Sequence, residues 1–381
     1  MTELRSDLTV TSAGDLRVTH VTTGSEAARP AASDVPRRVD DRVLDDSASV
    51  VGSLAGSFAL VWVVYLHVLP WSGKLGFVAV WWVTFMLLFT LVSRQSNPWS
   101  LVRDRLTGVV VRTGALIVIG ALVSALGYTV LRGYKALFHV NFYTADMAGV
   151  TPSSPLSQGG IQHALLGTAI QITIATVIAL PLGIATAVYL AEVGGRFSGI
   201  VRTVVEAMTA LPDILAGLFV YAVWILLFGQ DKTGFAVGLA LAVTMLPVIT
   251  RSGEIVLRIV PGGLREASLA LGASRWRTVW SVVLPTARAG MATSLILGIA
   301  RIAGETAPLL IVSGSSTFSN HDPLHNPMNS LPLFTFAAVR SGQQGPVLDR
   351  AYGAALVLLL FVLLLFVVAR FLARDKSGRR S

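Results

Sequence analysis

Long apolar runs, each about the length needed to cross a bilayer, recur along this chain and leave it few ways to fold. Hydropathy places eight of them, at about 50–69, 75–93, 108–130, 161–191, 205–228, 234–252, 287–312 and 348–372. Charged residues make up only 13% of the 381, where a water-soluble domain carries about a quarter. The runs are continuously apolar rather than alternating, which points to α-helices and away from a β-barrel. The expected fold class is all-α: a polytopic α-helical membrane protein with about eight transmembrane helices.

Basic residues orient such a bundle. With the N-terminus on the cytoplasmic side, three clusters all fall inside: Arg94/Arg103/Arg105/Arg112, Arg251/Arg258/Arg265/Arg275/Arg277/Arg288, and Arg370/Arg374/Lys376/Arg379/Arg380. The outer segments hold only Lys74, Arg132, Lys135, Lys232, Arg340 and Arg350. A change of one span would break this asymmetry, so both termini are expected to be cytoplasmic in a cell membrane. The net charge of +9 then reflects topology, and because it is divided among separate loops it does not point to nucleic acid. With no cysteine, the chain has no thiol or disulfide chemistry. Residues 1–48, polar and mixed in charge, read as a disordered cytoplasmic tail, and 373–381 as a basic cytoplasmic tail.

The first two spans form a hairpin, 49–93, turning through Pro70-Trp71-Ser72-Gly73-Lys74 and flanked by Trp62, Trp81, Trp82 and Trp99. The polar segment 93–107 separates this accessory pair from a core at 108–372. Gly52-x3-Gly56 and Gly234-x3-Gly238 have a spacing that permits close helix contact. Two outer segments, 131–160 and 313–346, are rich in Pro and Gly and read as loops with short interfacial helices. His321, Asp322 and His325 suggest a metal site, but Pro323 and Pro327 work against the helix that would align them, and no metal is expected.

Segment 253–286 is polar and arginine-bearing, set between two apolar runs. Glu266 to Leu271 can form a short helix, and Gly272 suits the left-handed turn that ends one. Ala267, Ala270 and Leu271 offer a small apolar surface, with Arg265 and Glu266 able to pair at its rim. Arg275-Trp276-Arg277 begins a second helical piece, which Leu284-Pro285 is expected to stop. The pattern Glu266-Ala267-Ser268-x3-Gly272-x9-Val282-x-Leu284-Pro285 resembles the coupling loop of ATP-binding-cassette importer permeases, with Ser268 in place of an Ala and Val282 in place of an Ile. That resemblance implies docking on a separate ATPase through Arg265, Glu266, Ala267, Ala270, Leu271 and Gly272. Independently, no Gly-x4-Gly-Lys-Ser/Thr frame surrounds any of the lysines, so the chain itself is not expected to hydrolyse ATP. It should be no enzyme and bind no cofactor, with ATP and Mg held by the partner ATPase.

Within the seventh run, Arg301 and Glu305 stand about one turn apart. A charge in an apolar span costs about 2.5–3.5 kcal/mol on insertion scales, so both should face a cavity or another helix. A guanidinium can hold an oxyanion by two parallel hydrogen bonds, which makes Arg301 the leading pathway contact, with Glu305 steadying it and Thr306 adding a hydroxyl. A structural Arg–Glu pair is the competing reading. Pro308 is expected to kink the helix, and Asp213 to lie nearer the cytoplasmic end against a loop arginine. The run Ala300-Arg301-Ile302-Ala303-Gly304-Glu305-Thr306-Ala307-Pro308-Leu309-Leu310 resembles the matching helix of phosphate-specific importer permeases of the PstA type. Gly167-Thr168, Pro181-Leu182-Gly183 and Gly217-Leu218-Phe219 agree, and the likeness covers about 108–372. It implies the type I ABC importer permease fold, a six-helix core, with the hairpin as an addition. It also implies a homologous permease subunit, two copies of an ABC ATPase subunit and an extracytoplasmic phosphate-binding protein. Sulfate, molybdate or phosphonate as cargo, or a secondary anion transporter needing no ATPase, remain as alternatives.

Overall fold

The computed structural model describes residues 41–68 and 73–374, and the described part is built from helices. Most of the N-terminal tail, the Pro70-Trp71-Ser72 turn and residues 375–381 of the basic tail lie outside the described residues. The helices, in order, are α1 (Asp41–Val63), α2 (Lys74–Ser96), α3 (Trp99–Leu137), α4 (Val140–Thr144), α5 (Gln162–Val188), α6 (Ser198–Ala210) and α7 (Asp213–Val220). Then follow α8 (Gly234–Ile259), α9 (Gly262–Ala270), α10 (Arg275–Thr278), α11 (Leu284–Ala303), α12 (Leu309–Val312), α13 (Leu331–Arg340) and α14 (Pro346–Arg374). They form two compact units, one up to Ala115 and one from Leu116 onward, so α3 contributes to both.

Among the described residues, six helical segments are long and apolar enough to span: Lys74–Gln95, Trp99–Leu137, Gln162–Val193, Gly234–Ile259, Arg275–Ala303 and Pro346–Phe371. The fifth expected span is instead a broken one, with α6 and the stretch Asp213–Leu227 bent by 104°. Pro212, with its fixed φ, sits at the break and cannot continue α6. The first run carries a shorter apolar helix, Ser49–Val63, continued by a π-helical turn to Val68. In this first unit Phe58 meets Trp81 and Phe77 edge-on, and the Trp81 indole N–H donates to Ser57 Oγ at 3.1 Å. Gly52 and Gly56 have nothing within 4 Å of where a Cβ would stand, so their spacing brings no described contact.

The second unit is centred on α8, which packs against α5, α7 and α11 around Ala240, Met245, Ile249 and Ile302. Close approach depends on missing side chains. A Cβ at Gly238 would lie 2.4 Å from Ile174 Cγ2, and one at Gly183 would lie 2.8 Å from Ile249 Cγ2. Leu284-Pro285 does not stop the second helical piece: Arg275 to Ala303 runs as one helix. The π-helical turn Val279–Val283 just before Pro285 explains this, because widening the turn makes room for a ring that would otherwise clash with the preceding carbonyls.

The segment after α12 is not a simple solvated loop. Ser313, Ser316, Asn320, Asn329 and Ser330 are all buried, and α13 packs on α14. Buried irregular backbone needs partners, and α5 supplies them. Gln171 Nε2 donates to the carbonyls of Met328 (3.2 Å) and Asn329 (3.3 Å), and the Leu331 N–H donates to Thr168 Oγ1 at 2.8 Å. Gly167 lets this backbone pass, since a Cβ there would fall 2.0 Å from the Asn329 carbonyl oxygen. Gln171→Leu keeps the size and leaves two buried carbonyls with less satisfaction. It should lower stability by about 1–3 kcal/mol, read as a drop in melting temperature of the solubilised chain; an unchanged melting curve would contradict this role.

Candidate functional site

Arg301 lies in the last turn of α11, and Gly298 one turn earlier packs on Met245 and Ile249, near the middle of α8. The guanidinium is therefore level with the centre of a membrane-spanning helix. Its side chain is 47% exposed among the protein's own atoms. Arg301 Nη2 donates to both carboxylate oxygens of Asp213, each at 3.1 Å, and Nε stands 3.8 Å from Glu305 Oε1. One arginine thus holds two carboxylates.

Asp213 is where the sequence expectation needs correction. It does not meet a loop arginine at the cytoplasmic end; it reaches Arg301 across the bundle. The break at Pro212 starts α7 there, and an acid in the first helical turn is favoured by the free N–H groups and the dipole. One turn on, Gly217 lets α7 approach the chain at Pro308, where a Cβ would meet the Pro308 Cα at 2.7 Å. This contact fixes the distance between Asp213 and the end of α11.

Arg301 and Glu305 do not share one unbroken helix. α11 ends at Ala303, Gly304 caps it, and Glu305, Thr306 and Ala307 form an irregular bridge to α12, for which Pro308 is the N-cap. The break, more than a kink, is what brings the Glu305 carboxylate back toward Arg301. Thr306 is half-buried beside it, its hydroxyl turned toward the Gly304 carbonyl at 3.5 Å. Arg301, Glu305 and Thr306 are thus brought together, with Asp213 added.

The second group of predicted residues sits on α9. The helix ends as its sequence suggests: Gly272 has φ 82°, its N–H donates to the Leu269 carbonyl at 2.9 Å, and the Ala273 N–H to the Ser268 carbonyl at 3.2 Å. This pair of bonds is the Schellman arrangement. Glu266, Ala267, Ala270, Leu271 and Gly272 are exposed, with Leu271 at 89%. Leu264, Leu269 and Trp276 are also exposed, giving α9 and α10 an apolar surface without a partner among the described residues. Ser268 Oγ lies 2.9 Å from Thr278 Oγ1 and ties α9 to α10.

Arg265 does not pair with Glu266. It turns inward to Glu192, with Nη2 donating at 2.6 Å and Nε at 3.0 and 3.2 Å, and it also donates to the carbonyls of Val260 (2.6 Å) and Leu257 (2.7 Å). Arg265 therefore belongs to a clip joining α9 to the end of α5 and of α8. A second clip holds α6 on α8, where buried Glu254 accepts from Arg202 and Arg258, each at 2.7 Å, and Glu206 accepts from Arg251 at 3.0 Å. Sequence reading missed Glu192 and Glu254. The signal was present, since each is an acid at the end of an otherwise apolar run. His321, Asp322 and His325 remain a surface loop: His325 Nδ1 lies 2.7 Å from Asp322 Oδ2, both exposed, and no group of three metal-ligating side chains occurs among the described residues.

Glu192→Gln keeps the shape of the clip and removes its charge. A hydrogen bond to a charged group is worth about 1.5–3 kcal/mol, so amide exchange across 264–272 should accelerate at least tenfold. Unchanged exchange there would mean that the clip does not hold α9.

Residues 179–377 match the family of binding-protein-dependent transport system inner membrane components. The phosphate transport system permease protein PstA 1 of Mycobacterium tuberculosis (strain CDC 1551 / Oshkosh) is 41% identical over 269 residues, 70% of this chain and 88% of that protein. PstA of Mycobacterium leprae is 41% identical over 70% of this chain and 89% of that protein, and PstA of Yersinia pestis 33% over 74% and 94%. Among solved structures, an inward-facing MetNI methionine ABC transporter aligns at 22% identity and a TM-score of 0.45, over 56% of this chain and 93% of that one. The chain belongs to the binding-protein-dependent inner-membrane permeases of ABC transporters, as a member of the PstA type.

Proposed function

We propose that this chain is the permease subunit of an ATP-driven inorganic phosphate importer and forms half of its translocation pathway. The observation that carries the reading is the guanidinium of Arg301, half exposed at the height of the middle of α8 and held between Asp213 and Glu305. Phosphate is matched by a planar fork of N–H donors, and the two carboxylates give that fork a resting partner when no anion is present. Asp213 competes with the anion for the same N–H groups, so binding stays weak enough for release. Glu305 keeps the guanidinium aimed into the space, and Thr306 adds a hydroxyl beside it.

The exposed face of α9, with Glu266, Ala267, Ala270, Leu271 and Gly272, docks on a separate ATPase, which binds ATP and Mg. Arg265 acts from behind, fixing α9 to α5 and α8 so that movement of α9 moves those helices. The α9 side is cytoplasmic, as are both termini, in keeping with the positive-inside bias of the arginines. A homologous permease completes the pathway, two ATPase copies drive it, and an extracytoplasmic phosphate-binding protein delivers the anion. These partners rest on family membership and on the unpartnered apolar surface of α9.

Uptake of radiolabelled phosphate by the reconstituted complex tests both sites at once. Arg301→Ala should reduce uptake at least a hundredfold while the complex still assembles and hydrolyses ATP. Glu266→Ala should leave pathway residues intact but weaken ATPase attachment or the uptake obtained per ATP by several fold. Normal phosphate uptake in Arg301→Ala would remove Arg301 from the pathway, and full coupling in Glu266→Ala would remove that residue from the docking face.

A further inference from the structure

The end of the second unit remote from α9 contains a cavity of about 240 Å³. α9 is clipped to the C-terminal end of the α5 run, whereas the cavity lies at its N-terminal end, beside His163. With 27 residues in α5, the two ends are about 40 Å apart. The walls come from both long connecting segments and from α13 and α14, and include His163, Arg350, Thr317, Asn329, Ala338 and Gln343.

Two of these groups are buried with hydrogen-bonding capacity unused. His163 is 2% exposed, and among the described residues neither ring nitrogen has a hydrogen-bond partner; its ring meets Phe334 edge-on, with centroids 5.4 Å apart. Arg350 is also 2% exposed. Its Nη1 donates to the Pro152 carbonyl at 3.0 Å, and its Nη2 to those of Ser154 (3.3 Å), Pro155 (3.2 Å) and Gln158 (2.9 Å), while Nε has no partner. These bonds go to neutral carbonyls, so the positive charge is solvated but not neutralised. A buried donor without a partner costs about 1–3 kcal/mol, a cost that a ligand accepting from it would offset. Asp146 does not fill the role. Burial pushes its carboxyl up, but the N–H groups of Ala148 and Ser319 outweigh this and hold it below the usual carboxylate range. Its oxygens already accept from those two backbone groups, at 3.1 and 3.0 Å.

We infer that the cavity is an oxyanion subsite, where a tetrahedral anion accepts from Arg350 Nε and the His163 ring before moving on to Arg301. The volume admits one such anion with a few waters, each taking about 30 Å³. Phosphate as the anion rests on the permease reading above; the subsite itself rests on the cavity and its two unpartnered groups.

Equilibrium binding of radiolabelled inorganic phosphate to the full chain, in nanodiscs of phosphatidylcholine alone, tests this without an anionic headgroup that could compete. The Arg301→Ala background removes the pathway contact and should retain one phosphate per chain. Adding His163→Phe should weaken that binding at least tenfold. Ala338→Leu, which fills the cavity from α13 and touches neither polar group, should do the same. Loss of all anion binding in Arg301→Ala alone, or binding untouched by both added substitutions, would overturn the subsite. Sulfate bound in place of phosphate, and lost with His163→Phe, would support the subsite while contradicting phosphate as the cargo.

Discussion

The rest of the second unit is arranged around one arginine that cannot face lipid. At mid-height in an apolar bundle, Arg301 must have counter-charges or water, and the fold provides the counter-charges. α11 has to end just past it so that Glu305 can return, and α6 has to break from α7 so that Asp213 can begin a helix opposite it. Gly217 and Gly298 then bring α7 and α11 close enough for the contact. Those breaks would be faults in a span whose task was only to cross the bilayer. Here they leave a cation half exposed and paired with two carboxylates.

The same economy of charge connects this site to α9. Partly buried Glu192 and buried Glu254 have arginine partners from neighbouring elements, and each pair fastens a short amphipathic helix to a long one. From α9 the Ser268–Thr278 bond leads into α10, and one helix runs unbroken from Arg275 to Ala303. Its far end carries Arg301. A shift of α9 therefore has two routes into the bundle, through Glu192 to α5 and along α11 to the charged trio. A rigid connection of this kind can exchange one packing for another without unfolding either end.

Much of this was legible in the sequence where a local rule governs. Apolar run length gave the long helices, and Gly272 gave the end of α9, since both depend on residues within one turn or one span. The pairing of charges was less legible. Arg301 stands out in the sequence as a charge within an apolar run, but its partner Asp213 lies 88 positions away, and the packing at Gly217 brings them together. Arg265 was assigned to the right segment and the wrong neighbour, because Glu266 is adjacent in sequence while Glu192 is adjacent in space. Pro285 was expected to end a helix, as proline does in an unstrained one; the π-helical turn before it changed the outcome. The burial of Met328 to Leu331 is illegible locally for a related reason, since the hydrogen bonds that satisfy this backbone come from Gln171 and Thr168 on a helix far earlier in the chain.

The central claim, that phosphate passes beside Arg301, can be tested without altering any charge there. The chain has no cysteine, so Thr306→Cys introduces a single thiol next to the trio. Its modification by a small methanethiosulfonate reagent, in the assembled transporter, reports whether that space is occupied. Saturating phosphate should slow the reaction at least fivefold, and adding Arg301→Ala should abolish the protection. Modification at the same rate with and without phosphate would contradict the account.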